Sequence, residues 1–482
     1  MEFFSYRFFA FLLFTIIVYY STRPSIRWLI LLISSLIFIY SYSLYFLVYT
    51  LLYAIINYLI VHLIFKYKGQ KPSKYFYFSG IGINIGLLIF FKYSNFFIDN
   101  ISQLCNFLGI SSSSLPHLSL IVPLGISFFT FQAIGYLIDV NRNTLVPEKS
   151  PWKFILFIVY FPKYLSGPVE RGKTLLPEIN RECSFDEKSF NSGILQILWG
   201  FTKTHIISDR LALIVNEINH NLHSYSGSIL FINFFIQLLY LYFNFSGYTD
   251  IVLGISKLFG IKLSINFNRP FLAVNVSEYW RRWHISLTSW CNDYIFRRII
   301  LKKIRWGKWA SVYGVFITFL VIGIWHGANW TFVILGILQG IAINYEFFTK
   351  KYRIKYGGKL PHWLNTSLSR LITYVFMSIS IVLFFSKNIQ NAIYYFHSMF
   401  NFNKLTFHTL ETNFHFSQGD LAITVITTLI ILLSEYHDEY KKPFIEFILK
   451  KRIYFWASVY ILLTALILFK MGHSISFVYE QF

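Results

Sequence analysis

Long apolar runs recur along the whole chain, and they constrain its fold more than any other feature. Many are close to the ~20 residues that a helix needs to cross the ~30 Å apolar core of a bilayer. No water is available there, so every backbone polar group must be bonded within the protein, which favours helices. The predicted spans are Phe3–Tyr20, Trp28–Tyr40, Leu44–Phe65, Tyr75–Phe91, Leu118–Ile138, Trp152–Leu165, Ile194–Val215, Ile229–Phe245, Trp309–Ile324, Trp330–Phe348, Leu368–Phe385, Leu421–Leu433 and Tyr454–Phe469.

The composition excludes the other broad classes. Hydrophobic residues make up 55% of the chain and charged residues only 13%. A soluble fold would expose much of this apolar surface and aggregate, and disorder requires low hydrophobicity. We therefore expect an all-α polytopic membrane protein with about 11 to 13 transmembrane helices, some helices being interfacial or re-entrant. It should form one transmembrane domain over residues 1–482, with N-terminal spans (1–115), a core (118–348) and C-terminal spans (349–482).

The charge is strongly positive, with 43 Lys and Arg against 22 Asp and Glu, which gives +21. On a soluble protein this excess would suggest nucleic acid. Here the basic residues lie in short loops between apolar runs, so they predict which side faces the cytoplasm. Four such loops, 66–74, 297–308, 350–359 and 441–452, place both termini outside. Between Leu165 and Arg297 the number of predicted spans does not agree with the sides assigned to the flanking loops. We therefore expect a half-span or an interfacial helix there.

The N-terminus and the cysteines add two smaller expectations. Glu2 stands where a signal peptide would carry basic residues, and no small-residue cleavage site follows. An uncleaved first span is therefore expected. Cys105, Cys183 and Cys291 lie far apart, so their spacing supports neither a disulfide framework nor a zinc site.

The first candidate for chemistry is the turn Trp325–Trp330, with the sequence WHGANW. Lys308 and Lys350 flank about 40 residues, roughly 60 Å of helix and enough for two crossings, so this turn lies deep in the membrane or on its far side. An ionisable side chain at such depth is a functional candidate, and His326 could act as a general base. The alternative is a structural histidine bonded to a neighbouring helix. Nearby glycine pairs are also typical of helix packing alone: Gly323–Gly327 and Gly336–Gly340.

The second candidate is the segment Glu278–Tyr294, which contains the sequence RRWH. Apolar side chains three and four residues apart predict one stripe of a single helix. The structural interpretation is an amphipathic helix in the membrane interface. The functional interpretation is that His284 takes part in the chemistry and that Arg281 and Arg282 hold a phosphate-bearing donor. The stripe consists of Trp280, Trp283, Leu287, Trp290 and Tyr294.

Two further segments place unusual residues in apolar surroundings. Residues 161–171, FPKYLSGPVER, contain helix breakers that permit either a broken or re-entrant helix or a simple turn after a span. Asp250 lies between apolar runs and is predicted to be a buried polar anchor or a helix cap.

Walker A, HExxH and GxSxG motifs are absent from the sequence. His397, His408 and His415 are too widely spaced for a metal site, and we assign them to an extracytoplasmic loop.

Together these segments resemble the membrane-bound O-acyltransferase (MBOAT) family, and within it the bacterial branch of alginate O-acetyltransferases. One departure is the basic sequence at Phe296–Trp309, where that branch commonly has a PLGG-like turn. This basic sequence is closer to the relatives that attach D-alanine to teichoic acid. The matching blocks span most of the chain in order: Val122–Val140, Phe161–Ile179, Tyr240–Ile261, Asn266–Trp290, Gly323–Gly340 and Phe477–Phe482.

The resemblance implies a ring of helices around a thin centre, with a funnel or tunnel that reaches the site. The histidine of the family's WHG block is regarded as catalytic and falls at His326, and the histidine of its RRWH block falls at His284. The implied activity is transfer of an acyl group, acetyl foremost, from a cytoplasmic thioester to a hydroxyl. Asn329 or backbone N–H groups near Gly327 would stabilise the oxyanion. The residues expected to bind donor or acceptor are Arg281, Arg282, Trp283, Asp293, Tyr294, Trp325 and Asn329.

The resemblance also implies co-substrates and partners. No bound cofactor and no metal are expected, and the acyl thioester would be acetyl-CoA or an acyl-carrier protein. The expected location is the bacterial cytoplasmic membrane. The expected partners are an extracytoplasmic polysaccharide or cell-wall acceptor, a periplasmic or surface acyl-relay protein and a cytoplasmic acyl-carrier protein, but not nucleic acid.

Other functions remain open at this point. Within the enzyme class, the alternative is D-alanyl transfer toward teichoic acid. A polytopic lipid or glycan transporter would also use broken helices and buried histidines, and a non-catalytic scaffold of an export complex is a third class. The sequence does not choose the acceptor among alginate, peptidoglycan, cellulose and teichoic acid.

Overall fold

A computed structural model of the chain describes residues 5–110, 116–402, 414 and 416–469. Within these residues the regular structure is helical and no strand occurs, as predicted. The chain divides into two compact units. Unit 1 contains residues up to Phe190 and Ile255–Ser264, and unit 2 contains Asn191–Gly254 and the residues from Ile265 onward. The expected division of one domain into 1–115, 118–348 and 349–482 stays a prediction.

The helices of unit 1 are mostly apolar, and serine side chains cap three of them. Ser5, Ser43 and Ser150 each accept a hydrogen bond from a backbone N–H in the first turn of the helix that follows. The helices are α1 (Tyr6–Ser21), α2 (Arg27–Tyr40), α3 (Leu44–Lys66), α4 (Lys71–Phe107), α5 (Ile126–Asn141), α6 (Pro151–Val159) and α7 (Gly172–Asn180).

The remaining helices include two π-helical segments, Thr202–Ser208 and Asn292–Phe296. Such segments occur often at functional sites. The α-helices are α8 (Glu187–Phe201), α9 (Asp209–His220), α10 (Ser228–Leu258), α11 (Val276–Arg282), α12 (Ile285–Cys291), α13 (Arg297–Lys302), α14 (Lys308–His326), α15 (Trp330–Gly357), α16 (His362–Phe385), α17 (Ile389–Ser398), α18 (Gln418–Tyr440), α19 (Phe444–Ile448) and α20 (Arg452–Phe469).

Eight of the described helices are long and apolar enough to cross a membrane, namely α3, α4, α10, α14, α15, α16, α18 and α20. The shorter apolar helices α1 and α2 coincide with two further predicted spans. The prediction of an all-α polytopic membrane protein is therefore confirmed.

The predicted span Trp152–Leu165 is wrong. Helix α6 ends at Val159 after nine residues, and the chain from Tyr160 to Glu170 is buried and largely non-helical. The alternative of a broken helix describes this segment correctly. Irregular backbone is tolerated at membrane depth where it is enclosed by protein. The Lys163 ammonium, for example, donates to the side-chain oxygen of Gln132 at 3.0 Å.

The predicted span Leu118–Ile138 is also only partly helical, because α5 begins at Ile126. Gly125 precedes it with φ of +76°, and a Cβ at this position would lie 2.5 Å from the carbonyl oxygen of Tyr164. Glycine is therefore required where the start of α5 meets the broken helix.

Asp250 lies in the interior of α10, so its prediction as a helix cap is wrong, and it is a polar anchor that is partly buried. Its carboxylate accepts from Lys203 at 2.9 Å and from Gln196 at 3.0 Å. Glu435 of α18 lies 3.8 Å from the same ammonium. A buried lysine thus lies between two carboxylates, as buried charges require. His397 lies on α17, whereas His408 and His415 lie outside the described residues.

Candidate active site

The histidine turn predicted from the sequence is present as the connection of a helical hairpin. His326 is the last residue of α14, and α15 begins at Trp330. Asn329 caps α15, because its side-chain oxygen accepts from the backbone N–H of Thr331 at 3.0 Å. Its side-chain nitrogen donates to the carbonyl oxygen of Lys387 at 2.6 Å, just after α16. Asn329 therefore fixes the turn to the start of α15 and to the end of α16.

Glycines bring α14 and α15 together directly behind the histidine. A Cβ on Gly323 would lie 2.4 Å from the carbonyl oxygen of Phe332 and 2.9 Å from the Cα of Gly336. A Cβ on Gly336 would lie 2.6 Å from the carbonyl oxygen of Phe319. The predicted helix-packing role of these glycines is confirmed, and the close approach fixes where His326 lies.

His326 is buried among aromatic rings and lines a small cavity. The centre of its ring lies 5.1 Å from that of Trp325, 5.4 Å from that of Phe384 and 6.2 Å from that of Phe332. The cavity has a volume of about 20 Å³, close to the room needed by one water molecule. Besides His326 it is lined by Leu241, Tyr279, Trp280, Trp283, Leu335, Gln339, Met377, Ser380, Ile381 and Phe384.

A chain of hydrogen bonds forms the polar part of the cavity wall. The indole N–H of Trp280 donates to the side-chain oxygen of Gln339 at 2.9 Å, and the Gln339 amide donates to Ser380 at 2.7 Å. Neither Gln339 nor Ser380 was predicted as a site residue. The signal for Gln339 was available, because a polar residue inside an apolar span is itself a functional candidate.

The RRWH segment is not one helix, so that prediction is wrong. Helix α11 ends at Arg282 and α12 begins at Ile285, and His284 between them has φ of +45°. Hydrogen bonds to a neighbouring segment support the break: Ile285 N–H donates to Asn266 O, and Asn268 N–H donates to Arg282 O, both at 2.9 Å. The five stripe residues are nevertheless all buried: Trp280, Trp283, Leu287, Trp290 and Tyr294.

His284 and His326 both contact the ring of Trp325. The centre of the Trp325 ring is 5.9 Å from that of His284 and 5.1 Å from that of His326. His284 is fully buried and also meets the ring of Phe245 at 4.9 Å. It lies outside the eight candidate spans, and burial lowers its pKa to about 3. Its imidazole is therefore neutral at physiological pH.

Helix α11 is held on α15, the second helix of the histidine hairpin. The Glu346 carboxylate accepts from the backbone N–H groups of Val276 at 2.6 Å and Ser277 at 3.0 Å. An anion at a helix N-terminus is favoured by the helix dipole and by the unpaired N–H groups there. This contact and the bond between Trp280 and Gln339 place the RRWH segment beside His326.

The two arginines of the RRWH block have different surroundings. Arg282 forms ion pairs with Glu439 and Glu278, both at 2.8 Å, which raise its pKa above the ordinary value. Because Glu439 lies on α18, its ion pair with Arg282 links α11 to α18. Glu439 also binds Arg269 at 3.0 Å. Arg281 is exposed and, among the described residues, donates to the carbonyl oxygen of Ser277 alone, at 3.3 Å. Of the pair, Arg281 is the one whose charge is available to a ligand.

The other predicted site residues are spread along this segment. Trp283 lines the cavity, but Asp293 and Tyr294 lie in the π-helical segment that follows α12. Asp293 is 3.4 Å from Arg297, and the ring of Tyr294 packs on Trp290 at 4.9 Å. The structure therefore brings His326 and Trp283 together at one cavity and places Asp293 and Tyr294 near the basic helix α13.

The described residues contain no cluster of three or more His, Cys, Asp or Glu that could hold a metal ion. The site itself offers a buried imidazole beside a small, largely apolar cavity.

Comparison of the sequence with known proteins identifies the class to which this helical membrane protein belongs. The model of the MBOAT, membrane-bound O-acyltransferase family, matches residues 147–386, which include both histidines and Gln339. The chain is 31% identical over 386 residues to a probable alginate O-acetylase, AlgI, of Pseudomonas aeruginosa, covering 80% of this chain and 72% of that protein.

Relatives with two other named activities are about equally similar. The peptidoglycan O-acetyltransferase of Helicobacter pylori is 30% identical over 415 residues, covering 80% of this chain and 76% of that protein. The teichoic acid D-alanyltransferase of Bacillus subtilis is 30% identical over 361 residues, covering 72% and 87%. The chain belongs to the membrane-bound O-acyltransferase family. It is a multi-pass membrane enzyme of the O-acyltransferase class, so the transporter and scaffold alternatives are set aside.

Proposed function

We propose that this enzyme transfers an acetyl group from a cytoplasmic thioester to a hydroxyl of an extracytoplasmic polysaccharide or cell-wall polymer, directly or through a relay protein. It would do so from the bacterial cytoplasmic membrane. The observation that carries the proposal is the cavity beside His326. Its small volume of about 20 Å³ favours acetyl over the larger D-alanyl group, and its described lining contains no carboxylate to pair with the ammonium of D-alanine. The relatives named as O-acetylating enzymes support the same choice.

The proposed mechanism uses His326 as a general base. Its imidazole takes the proton of the acceptor hydroxyl as the oxygen attacks the thioester carbonyl. The carbon–sulfur bond then breaks, and the imidazolium returns its proton to the leaving thiolate. Acceptor and thioester become an O-ester and a free thiol, and the enzyme is unchanged. Burial of the imidazole excludes the bulk water that would hydrolyse the thioester.

His284 has a second role in this proposal. Both histidines contact the Trp325 ring, but the described lining of the cavity includes His326 and not His284. The neutral imidazole of His284 would orient the donor beside Trp325. Asn329 would contribute to the oxyanion site, because its side-chain nitrogen has a second hydrogen beyond the one given to Lys387.

The donor would dock at the basic segment 297–308. Six cations lie there beside exposed apolar side chains such as Leu301 and Ile304, both more than 60% exposed. Such a surface suits the phosphates of coenzyme A or an acidic carrier protein. The segment lies about 27 Å from His326 along α14, so the thioester must reach inward. The cations are Arg297, Arg298, Lys302, Lys303, Arg305 and Lys308.

The second candidate function is D-alanyl transfer toward teichoic acid. Two observations favour it, the similarity to the Bacillus subtilis enzyme and the basic segment in place of a glycine-rich turn. An assay of the purified protein in proteoliposomes separates the two. Radiolabelled acetyl-CoA and D-alanyl carrier protein would be supplied in parallel, and free thiol and label on added acceptor polymers would be measured. Acetyl transfer without D-alanyl transfer is expected, and the reverse result would overturn the choice of acetyl.

A further inference from the structure

A charged cavity lies in unit 1, and its lining shares no residue with the cavity beside His326. Its volume of about 120 Å³ is room for several water molecules. Basic and acidic side chains share its lining, with Arg27 and Lys153 on one hand and Glu178 and Glu182 on the other. No step of the proposed reaction uses these residues.

Hydrogen bonds place this cavity at one end of unit 1. Lys153 donates to Asn180 at 2.6 Å, and Asn180 donates to Glu148 at 2.9 Å. The next residue, Lys149, accepts through its carbonyl oxygen from Tyr58, two turns before α3 ends. The cavity is therefore at the end that carries the basic loop 66–74, which the positive-inside rule assigns to the cytoplasm.

Among the described residues, the acceptors of two cations on the cavity wall are all neutral. The Arg27 guanidinium donates to the carbonyl oxygens of Thr22, Tyr20 and Cys183. It also lies about 5 Å from the ring centres of Tyr19 and Tyr20, as Lys153 does from Trp28. No described carboxylate lies within ion-pair distance of either cation. Two such cations around one cavity suit a phosphate group.

The lining of the same cavity also carries negative charge. Glu178 is paired with Arg181 at 2.9 Å. Glu182 is exposed and makes no ion pair with any residue that the structure describes. A ligand that carries a phosphate and an ammonium would match both kinds of charge, whereas a purely anionic ligand would face the charge of Glu182.

The surroundings of the cavity suit an amphipathic ligand. Trp28 and the two tyrosines are typical of the membrane interface. Helix α2 leads away from the cavity with Leu29, Ile33 and Ile37 exposed at four-residue spacing, which places them on one face. We propose that this site binds the phosphoethanolamine headgroup of a membrane phospholipid, with phosphate between Arg27 and Lys153, ammonium at Glu182, and acyl chains along α2.

Native mass spectrometry of the full-length protein tests this proposal. The protein would be mixed in detergent with equal amounts of dioleoyl phosphatidylethanolamine and phosphatidylglycerol. The wild type should retain phosphatidylethanolamine at least fivefold over phosphatidylglycerol. Lys153→Gln and Arg27→Gln should each lower that retention about tenfold. Arg23→Gln is the matched control, because Arg23 is an exposed cation of the same turn and does not line the cavity.

The variant Glu182→Gln tests recognition of the ammonium separately from recognition of the phosphate. This variant should keep lipid but shift its preference toward phosphatidylglycerol, because the negative charge at the ammonium is gone. If Arg27→Gln does not fold, Lys153→Gln alone decides. The proposal is overturned if Lys153→Gln behaves like Arg23→Gln, if the wild type shows no headgroup preference, or if inorganic phosphate or soluble phosphoethanolamine displaces the lipid completely at equal concentration.

Discussion

The indole N–H of Trp280 donates a 2.9 Å hydrogen bond to the side-chain oxygen of Gln339. This bond joins the RRWH segment to α15, the helix that follows His326. The Gln339 amide in turn donates a hydrogen bond to Ser380 of α16. Gln339 is fully buried, so removal of one partner leaves a polar group without compensation. The shape of the cavity beside His326 therefore depends on this chain of hydrogen bonds.

Replacement of Trp280 by Phe should destabilise the protein. Loss of the donor leaves the Gln339 oxygen unsatisfied, which costs about 1–3 kcal/mol. The melting temperature in detergent, followed by intrinsic fluorescence, measures the effect. Trp363→Phe is the control, because Trp363 is an exposed tryptophan on α16. Equal melting temperatures for the two variants would contradict the assignment.

Replacement of Met377 by Ala should broaden the range of acyl donors. Met377 lines the cavity, and its truncation makes room for one more methylene group, worth about 0.8 kcal/mol. The propionyl-to-acetyl ratio of transfer should rise about fourfold. Competing acyl-CoA substrates and mass spectrometry of the product would measure this ratio. Met399→Ala also truncates a buried methionine, but one packed in a different cluster, and it should leave the ratio unchanged. A rise of this ratio in both variants would indicate a general loosening of the protein and not an enlarged cavity.

Replacement of His326 by Gln should abolish acyl transfer while the protein still folds. Loss of a general base lowers turnover about 10²- to 10⁴-fold. Thiol release from the acyl donor is the measurement, with the melting temperature as a check on folding. His397→Gln changes an exposed histidine on α17 and should retain full activity. Full activity of His326→Gln would end the proposed role of this residue.

Replacement of Gly323 by Ala should separate α14 from α15 and displace His326. The added Cβ would meet the carbonyl oxygen of Phe332 at 2.4 Å, which backbone movement must relieve. Overpacking of this kind costs about 1–3 kcal/mol, and activity should fall with it. Gly82→Ala is the control, because no atom of the described residues lies within 4 Å of a Cβ at that position in α4. Parallel measurements of melting temperature and thiol release should show a loss only for Gly323→Ala.

Replacement of Glu439 by Gln should weaken the attachment of α18 to the RRWH segment. The Glu439 carboxylate accepts from both Arg269 and Arg282, and a neutral amide loses these charge-assisted bonds, at a cost of about 2 kcal/mol. The melting temperature should fall and should become less sensitive to salt. Glu446→Gln removes an exposed carboxylate from α19 and should have no effect. The assignment fails if the two variants melt alike.

Local patterns predicted the histidine hairpin well. The basic residues at its ends and the glycines within it specify a close pair of helices, and its turn is only three residues long. The break at His284 could not be predicted in this way. The spacing from Trp280 to Tyr294 suits a continuous helix, and what interrupts it is hydrogen bonding to residues 266–268 on a separate segment.

Ionic partners at long sequence separation were also beyond prediction. Glu439 and Arg282 are 157 positions apart, and nothing in either neighbourhood indicates the other. Arg282 was therefore assigned to a donor, whereas its guanidinium holds two carboxylates of the protein. The span predicted at Trp152–Leu165 failed for a related reason. Its apolar residues are enclosed by protein and do not form a continuous crossing.

The short connection between α14 and α15 has a consequence for biogenesis. Two helices joined by three residues meet through contacts that are close in sequence, and such local contacts form early in folding. The hairpin can therefore assemble as soon as it enters the bilayer, before the residues from 362 onward have been synthesised. The proposed general base is thus carried by an element that forms early, and the cavity around it is completed when α16 arrives with Met377, Ser380 and Phe384.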